Sequence, residues 1–193
     1  MQRKIITMKE YIIGNKIILR KLEQTDYISF YNEVISIKDQ DNFYYTRDEE
    51  NYKNFFNSFI LFNNNYFYVI CVKEKKQIIG YAHVSQNIIY LNKEYRTNDI
   101  LNNIVKLLCN LFFNELKCDE LSFSVNGKNN FLISTLENNH FIKQEDNYKL
   151  KRSDYKLENK IKHKYLTGED IDMFNERTYS NRKNICDNHW DGA

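Results

Sequence analysis

The side chain best suited to proton chemistry is His83, which lies inside a strand-like apolar run from Ile78 to Ser85. A free imidazole has a pKa of about 6.5, so it can take up or release a proton near neutral pH. Two interpretations are open: a general base, or a ring that packs on a sheet face and is satisfied by one hydrogen bond. Tyr90, Glu94 and Tyr95 are weaker candidates for the same role and are more typical of sheet and loop positions.

A second group of chemically capable residues lies near the end of the chain and comprises Cys186, Asp187, His189 and Asp191. Structural zinc sites use four ligands, mostly Cys and His, and only one of each is present here at usable spacing. The sequence therefore predicts a polar tail and no metal site. An alternative is that this tail is a peptide presented to a protein partner.

The elements that position His83 are short strands and amphipathic helices in alternation. In the first half of the chain, β-type runs are predicted at Lys16 to Leu22, Tyr66 to Val72, Ile78 to Ser85 and Ile88 to Leu91. Two helices are predicted before His83: Tyr27 to about Lys38, and a second that begins at a Thr46–Glu49 capping box.

The second half of the chain alternates more regularly. Asp99 to Leu116 is the clearest helix, because its apolar residues recur every three or four positions. Further elements are predicted at Leu121 to Val125 (strand), Asn130 to about Asn138 (helix), and Phe141 with Tyr148 to Arg152 (a strand pair). This order predicts a layered α/β fold with a mixed, mostly antiparallel sheet and helices on both faces. We expect one domain over residues 1–157 and an extension over residues 158–193.

Composition and charge exclude several classes of protein. The 193 residues suffice for one domain with a packed core, and a hydrophobic content of 42% is typical of a globular chain. Lys and Arg (28) nearly balance Asp and Glu (26), so we expect neither nucleic acid nor a membrane surface as a partner. Apolar runs stay well below the roughly 20 residues that cross a bilayer.

The cysteines and the start of the chain predict a cytoplasmic protein. Met1 to Glu10 contains charges but not the apolar segment of a secretory signal. The four cysteines are widely spaced and form no CxxC pair. Buried thiols in a reducing compartment are the simplest interpretation.

Four segments of the chain resemble the GNAT acyltransferase superfamily, nearest to the branch that acetylates protein N-termini and small amines. "IIGNKIILRKLEQTD" resembles the opening strand, and "FYVICVKEKKQIIGYAHVS" resembles the central hairpin, with Gly80 where its second strand begins. "NIIYLNKEYRTNDILNNIVKLLCNLFFNELKCDELSFSV" resembles the cofactor-binding strand, pyrophosphate loop, long helix and following strand. "NNFLISTLENNHFIKQ" resembles the closing segment, and the match spans about Ile12 to Asp154.

The resemblance implies direct transfer of an acetyl group from acetyl-CoA to an amine, with His83 as the base. It implies that pantetheine pairs with Ile88 to Leu91, and that an N–H of Leu91 or Asn92 polarises the thioester carbonyl. It also implies that the pyrophosphate binds at the start of the following helix. The cofactor-binding residues implied in this way are Tyr90, Leu91, Asn92, Arg96, Thr97, Asn98, Asp99, Ile100, Leu101 and Asn130.

Several positions depart from the family pattern. The pyrophosphate loop of the family has the form Arg/Gln-x-x-Gly-x-Gly/Ala, and here Asp99 and Leu101 stand at the two small positions. Asp99 brings a carboxylate to the place where phosphates dock, and Leu101 is expected to crowd their approach. In the closing segment, His140 stands where the family has glycine and Leu136 where many members have tyrosine.

Two functions are therefore expected. The first is an N-acyltransferase that uses acetyl-CoA and acts on an amine-bearing small molecule or a protein N-terminus. The alternative is a non-catalytic domain of the same fold that has lost its cofactor and either binds a peptide or protein or presents its own C-terminal tail.

Overall fold

The computed structural model describes residues 11–61, 66–125 and 129–155. The strands of these ranges are β1 (Tyr11–Ile13), β2 (Ile17–Arg20), β3 (Phe67–Val72), β4 (Ile78–His83), β5 (Ile88–Leu91), β6 (Glu120–Ser124), β7 (Ile142–Gln144) and β8 (Asn147–Lys151). The helices are α1 (Tyr27–Phe30, continued as a π-helix over Tyr31–Ile35), α2 (Glu49–Leu61), α3 (Asn98–Cys109, continued as a π-helix over Asn110–Glu115) and α4 (Asn130–Asn138). None of these helices is long and apolar enough to cross a membrane.

The described strands form two antiparallel sheets. Five strands pair in the order β1-β2-β3-β4-β5, and three pair in the order β6-β8-β7. Helices cover both faces of the larger sheet. The predicted α/β class with a mostly antiparallel sheet is confirmed, and β1 is a strand that the hydrophobic pattern alone did not separate from β2.

The two faces of the larger sheet have different cores. On one face, the aliphatic residues of α3 and α4 pack with the sheet through Leu19, Ile70, Ala82, Ile104, Leu108 and Leu136. On the other face, the rings of α1 and α2 pack with Phe67 and Tyr81. Because side chains alternate along a strand, Ala82 enters the aliphatic core while Tyr81 and His83 enter the aromatic one. The strand period therefore places His83 among rings.

The start of α2 differs from the capping box predicted at Thr46 and Glu49. The helix begins at Glu49, and the carboxylate of Asp48 accepts a hydrogen bond from the N–H of Asn51 (2.8 Å). The hydroxyl of Thr46 instead accepts from the N–H of Asp48 (3.1 Å). Asp48 satisfies one of the free N–H groups of the first turn, so the cap lies two residues later than predicted.

At the end of α4, His140 has a left-handed backbone conformation, which glycine adopts more readily than histidine. His140 has a φ of 66°, the N–H of His140 donates to Glu137 C=O (3.0 Å), and the N–H of Phe141 donates to Leu136 C=O (3.0 Å). The bond from Phe141 back to Leu136 closes a Schellman-type turn, which requires a left-handed residue. A histidine adopts this conformation at a cost that glycine does not have.

Replacing His140 by glycine should therefore raise the free energy of unfolding by about 1 kcal/mol, since the left-handed strain is removed. Urea denaturation measures the change. His140→Ala keeps the strained Cβ and is the matched control. An equal gain from both substitutions would show that the histidine ring, rather than the backbone conformation, was responsible.

The two buried cysteines are poorly suited to nucleophilic chemistry. Cys71 and Cys109 are each 2% exposed, and burial raises the pKa of their thiols to about 11 and about 12. Both thiols are therefore protonated at neutral pH and are poor nucleophiles.

Candidate functional site

The two sheets meet between β5 and β6, and there the molecule has an open strand edge. In the described part of the chain, β5 pairs with β4 on one side only. Towards β6, the N–H of Ser124 donates to the C=O of Asn87 (2.7 Å), just before β5 begins. No ladder between the described residues of β5 and β6 continues from that bond, so the outer edge of β5 is left open towards its C-terminal end.

The register of β5 decides which backbone groups face this edge. The N–H of Asn92 donates to the C=O of Ile79 (2.8 Å) on β4. Because the bonds of an antiparallel pair alternate, Tyr90 also directs its N–H and C=O towards β4, while Ile89 and Leu91 direct theirs to the open edge. An extended ligand can pair with such an edge, and the N–H of Leu91 can polarise a carbonyl.

The open edge leads to the start of α3, where Thr97 is the N-cap. Its side-chain oxygen accepts from the N–H of Ile100 (3.4 Å), and its C=O accepts from the N–H of Leu101 (3.0 Å). The N–H groups of Asn98 and Asp99 occupy the first turn, where a helix offers no internal acceptor. These two groups, with the positive end of the helix dipole, are suited to an anion.

Asp99 does not stand as an isolated negative charge at this helix start. Its carboxylate accepts a hydrogen bond of 2.5 Å from the ammonium group of Lys16, on the turn between β1 and β2. This bond lowers the pKa of Asp99, so the carboxylate is ionised at neutral pH and its charge is opposed by Lys16. The β1–β2 turn therefore places a cation at the N-terminal end of α3.

Arg96 is buried in an ion-pair cluster with two aspartates. Its Nε donates to Leu91 C=O (2.7 Å), Nη2 donates to Asp39 (2.8 Å) and Nη1 to Asp41 (3.1 Å). The side chain of Arg96 is 12% exposed, those of Asp39 and Asp41 are 1% and 7% exposed, and the guanidinium lies 5.6 Å from the ring centre of Tyr90. Arg96 thus links the end of β5 to Asp39 and Asp41, and its guanidinium is paired within the protein instead of facing a phosphate site.

The segment that supplies these aspartates, residues 39–45, runs along the aromatic face of β4 and β5; we call it loop 39–45. The amide of Asn42 donates to Val34 C=O (2.8 Å) and Ile37 C=O (3.1 Å), and its oxygen accepts from the hydroxyl of Tyr81 (3.1 Å). The N–H of Tyr44 also donates to Tyr81 (3.3 Å). The loop is therefore tied to α1, to β4 and, through Arg96, to the end of β5.

His83 lies under loop 39–45. Its ring is 5% exposed and packs against Phe59 (5.2 Å between ring centres) and Phe67 (5.4 Å). The Nδ1 atom of His83 shares a hydrogen bond of 2.5 Å with the hydroxyl of Tyr44. Burial raises the pKa of Tyr44 to about 12, so this hydroxyl is protonated at neutral pH. His83 does pack among other rings, as the second interpretation predicted. Its role as a general base stays a prediction.

Comparison with solved structures identifies the fold. A proposed ribosomal-protein-serine acetyltransferase from Vibrio cholerae superposes with a TM-score of 0.60 at 10% identity, over 75% of this chain and 99% of that one. A GNAT-family acetyltransferase from Bacillus anthracis gives a TM-score of 0.60 at 14% identity, over 74% and 99%. A spermidine N-acetyltransferase from Vibrio cholerae, solved with CoA and spermine, gives 0.57 at 14% identity over 74% and 99%. This chain has the GNAT fold. No protein-family model matches its sequence, and no curated protein does.

The GNAT fold brings together most of the predicted cofactor residues. Thr97, Asn98, Asp99 and Ile100 form the start of α3, next to the end of β5. Leu101 belongs to that turn, but its side chain is 3% exposed and packs in the aliphatic core, so it does not crowd the approach to the loop. The expected obstruction by Leu101 is absent from the structure.

Three other residues predicted to bind the cofactor lie on β5, directly after β5 and at the start of α4, and their role as cofactor ligands stays a prediction. Tyr90 is 1% exposed, with its backbone bonded towards β4 and its hydroxyl donating to Asn92 (3.1 Å). Asn92 uses its N–H on Ile79, which leaves Leu91 as the N–H donor of the predicted pair. Asn130 is the exposed first residue of α4, whose cap is Asn129.

The sequence analysis did not identify the residues around these positions. Lys16, Asp39, Asp41 and Tyr44 lie in turns and loops without a hydrophobic period, and each reaches a partner far away in sequence. A hint was present in the run Asp39-Gln40-Asp41-Asn42, where two acids flank a polar residue directly after a helix. The predicted tail, with Cys186 and His189, and the predicted boundary after residue 157 lie outside the described residues.

Proposed function

We propose that this domain transfers an acetyl group from acetyl-CoA to an amine. The observation that carries the proposal is the open edge of β5 that ends at the start of α3, because it combines an unpaired strand with an anion-binding helix start. A thioester of CoA has the matching chemistry, since its pantetheine arm carries amides and its far end carries phosphates. The structural neighbours with this fold support the same reaction class.

Each part of the site has a role in the proposed reaction. The open-edge backbone groups of Ile89 and Leu91 would pair with the pantetheine arm and polarise the thioester carbonyl, with the thioester farther from the start of α3 than the pantetheine amides. The N–H groups of Asn98 and Asp99, with the ammonium of Lys16, would hold the pyrophosphate. Bound acetyl-CoA supplies the activated acyl group.

We assign His83 as the general base that takes the proton of the amine. It lies on β4 opposite Ile88, the first residue of the strand whose outer edge opens towards its C-terminal end. A general base must take a proton from the attacking nitrogen, and an imidazole suits this task at neutral pH. The acceptor belongs to the class of amines, as either a small molecule or a protein N-terminus.

The non-catalytic alternative is not favoured by any described contact. Its main support was the carboxylate of Asp99 at the pyrophosphate position, and Lys16 opposes that charge. Its second support was crowding by Leu101, whose side chain is in the core. The proposed role of the tail lies outside the described residues.

Acetyl-CoA binding is the first test. A native-state ligand at 100 times its Kd stabilises a protein by about 2.7 kcal/mol, which should raise the Tm by several degrees. Lys16→Ala should weaken binding about tenfold, because it removes the cation and leaves Asp99 unopposed beside the phosphates. Calorimetric titration measures both affinities.

The matched control is Lys53→Ala, which removes an exposed lysine from α2. Both substitutions change the net charge by one, so a general electrostatic effect would weaken binding equally. Acetyl-CoA that neither stabilises the protein nor titrates into it would refute the proposed function. Equal weakening by the two substitutions would refute the assignment of Lys16 to the phosphate site.

A further inference from the structure

The hydrogen bond between Tyr44 and His83 restricts where His83 can accept a proton. A tyrosine hydroxyl carries one proton, and the Tyr44 hydroxyl keeps that proton at neutral pH because burial raises its pKa to about 12. The polar contact that the structure gives this hydroxyl is with Nδ1 of His83. Because this is the polar contact given to the hydroxyl, we assign Tyr44 as the donor and Nδ1 as the acceptor, which puts the proton of the neutral imidazole on Nε2.

This tautomer places the basic lone pair of His83 against Tyr44. A base uses its unprotonated nitrogen, which here is Nδ1, and Nδ1 already points at the tyrosine oxygen. An amine cannot approach the same lone pair directly. A proton that reaches Nδ1 must come from the hydroxyl of Tyr44.

The exposure of the two side chains agrees with this order. His83 is 5% exposed, whereas Tyr44 is half-buried on loop 39–45. Tyr44 is therefore the more accessible side chain of the pair. The rings of Phe55 and Phe67 pack against Tyr44, and Asn42 anchors the loop, so the hydroxyl is held in place.

We propose that Tyr44 is a second catalytic residue, which relays the proton of the acceptor amine to His83. This inference rests on the proposed acyl transfer. As the amine nitrogen bonds to the acyl carbon, its proton passes to the oxygen of Tyr44 and the hydroxyl proton passes to Nδ1. His83 becomes an imidazolium, the C–S electron pair leaves with sulfur, and the imidazolium proton returns through Tyr44 to the thiolate.

Kinetics of Tyr44→Phe and His83→Ala test the relay. Each substitution removes one part of the same proton path, so each should lower kcat/KM about 100-fold or more. The double variant should be no slower than the slower single variant, because residues that act as a unit are not additive. Tyr45→Phe removes the neighbouring hydroxyl of the same loop and should leave kcat/KM unchanged.

Two kinetic outcomes would overturn the relay. One is a Tyr44→Phe enzyme whose kcat/KM is within about threefold of the wild type while His83→Ala is strongly impaired. The other is a double variant whose loss equals the product of the two single losses, since independent groups multiply. Thermal unfolding of each variant separates a loss of folding from a loss of chemistry.

A measurement that needs no activity separates this inference from the proposed function. Nitrogen NMR of the labelled protein distinguishes the two neutral tautomers of His83, and we expect the proton on Nε2. In Tyr44→Phe, the Nδ1 resonance should move, because its hydrogen bond is lost. A wild-type ring protonated on Nδ1 would overturn the relay even in an active enzyme. If the protein has the expected tautomer but transfers no acyl group, the proposed function is refuted and the relay is refuted with it. The assignment of the hydrogen bond between Tyr44 and His83 would still stand.

Discussion

Replacing Arg96 by methionine should lower the free energy of unfolding by about 3–5 kcal/mol. Methionine keeps much of the apolar stem but leaves the carboxylates of Asp39 and Asp41 buried without their cation. Removing one partner of a buried ion pair costs this much because the remaining charge stays out of water. Leu91 C=O also loses the donor that holds it at the end of β5. Urea denaturation at neutral pH measures the loss.

The two aspartates provide an internal control, because they are not equivalent. One guanidinium faces two carboxylates, and Oδ1 of Asp41 has no hydrogen-bond partner among the described residues. Asp39→Asn weakens the 2.8 Å pair with Nη2 and should destabilise the protein. Asp41→Asn removes the surplus negative charge and should be neutral or stabilising.

The pH dependence of the Asp41 contribution has a definite sign. Burial raises the pKa of Asp41, so the folded protein binds this proton more tightly than the unfolded chain does. Its stabilising contribution is therefore complete below the ordinary pKa of an aspartate and is lost as the pH rises through the raised value. The stability difference between Asp41→Asn and wild type should grow in favour of the variant over that range. A larger loss from Asp41→Asn than from Asp39→Asn would contradict this account of the cluster.

The fold was predictable where the periodicity of hydrophobic residues determines the local structure. Strand β5 spans Ile88–Leu91, as predicted from its apolar run, and α3 begins at Asn98, one residue before the predicted start. Burial of one face makes these periods visible in sequence. Boundaries that depend on local hydrogen bonds were less predictable: β4 ends at His83 because a 3₁₀ turn, Val84–Gln86, takes over.

The residues of the candidate site could be predicted together only where they are contiguous in sequence. The start of α3 is a single segment, so its residues lie together independently of the rest of the fold. The partners that determine its chemistry come from elsewhere: Lys16 lies 83 residues before Asp99, and Asp39 lies 57 residues before Arg96. Charged residues that pair over long sequence distances show no periodicity, so such pairs cannot be recognised from the sequence. The sequence therefore showed the carboxylate of Asp99 without the cation that opposes it.

Replacing Gly80 by alanine should lower the free energy of unfolding by about 3 kcal/mol, with the site displaced as well. A Cβ built on Gly80 would overlap the backbone C=O of Tyr90 and lie 3.0 Å from the Cα of Leu91. Both neighbours are backbone atoms of β5, so no side-chain rotation relieves the overlap. Either the two strands separate or β4 bends, and each response disturbs the paired edge. Denaturation measures the loss.

Gly14→Ala is the matched control for this substitution. A Cβ on Gly14 would overlap the side-chain amide of Asn103, which can rotate away, and would lie 2.9 Å from a methyl group of Leu107. The expected cost is about 1 kcal/mol, since flexible side-chain atoms move more easily than a strand backbone. A Gly80→Ala protein that is as stable as Gly14→Ala would show that β5 shifts without penalty. Because the N–H of Leu91 belongs to the strand that Gly80 contacts, Gly80→Ala should also weaken acetyl-CoA binding more than Gly14→Ala does.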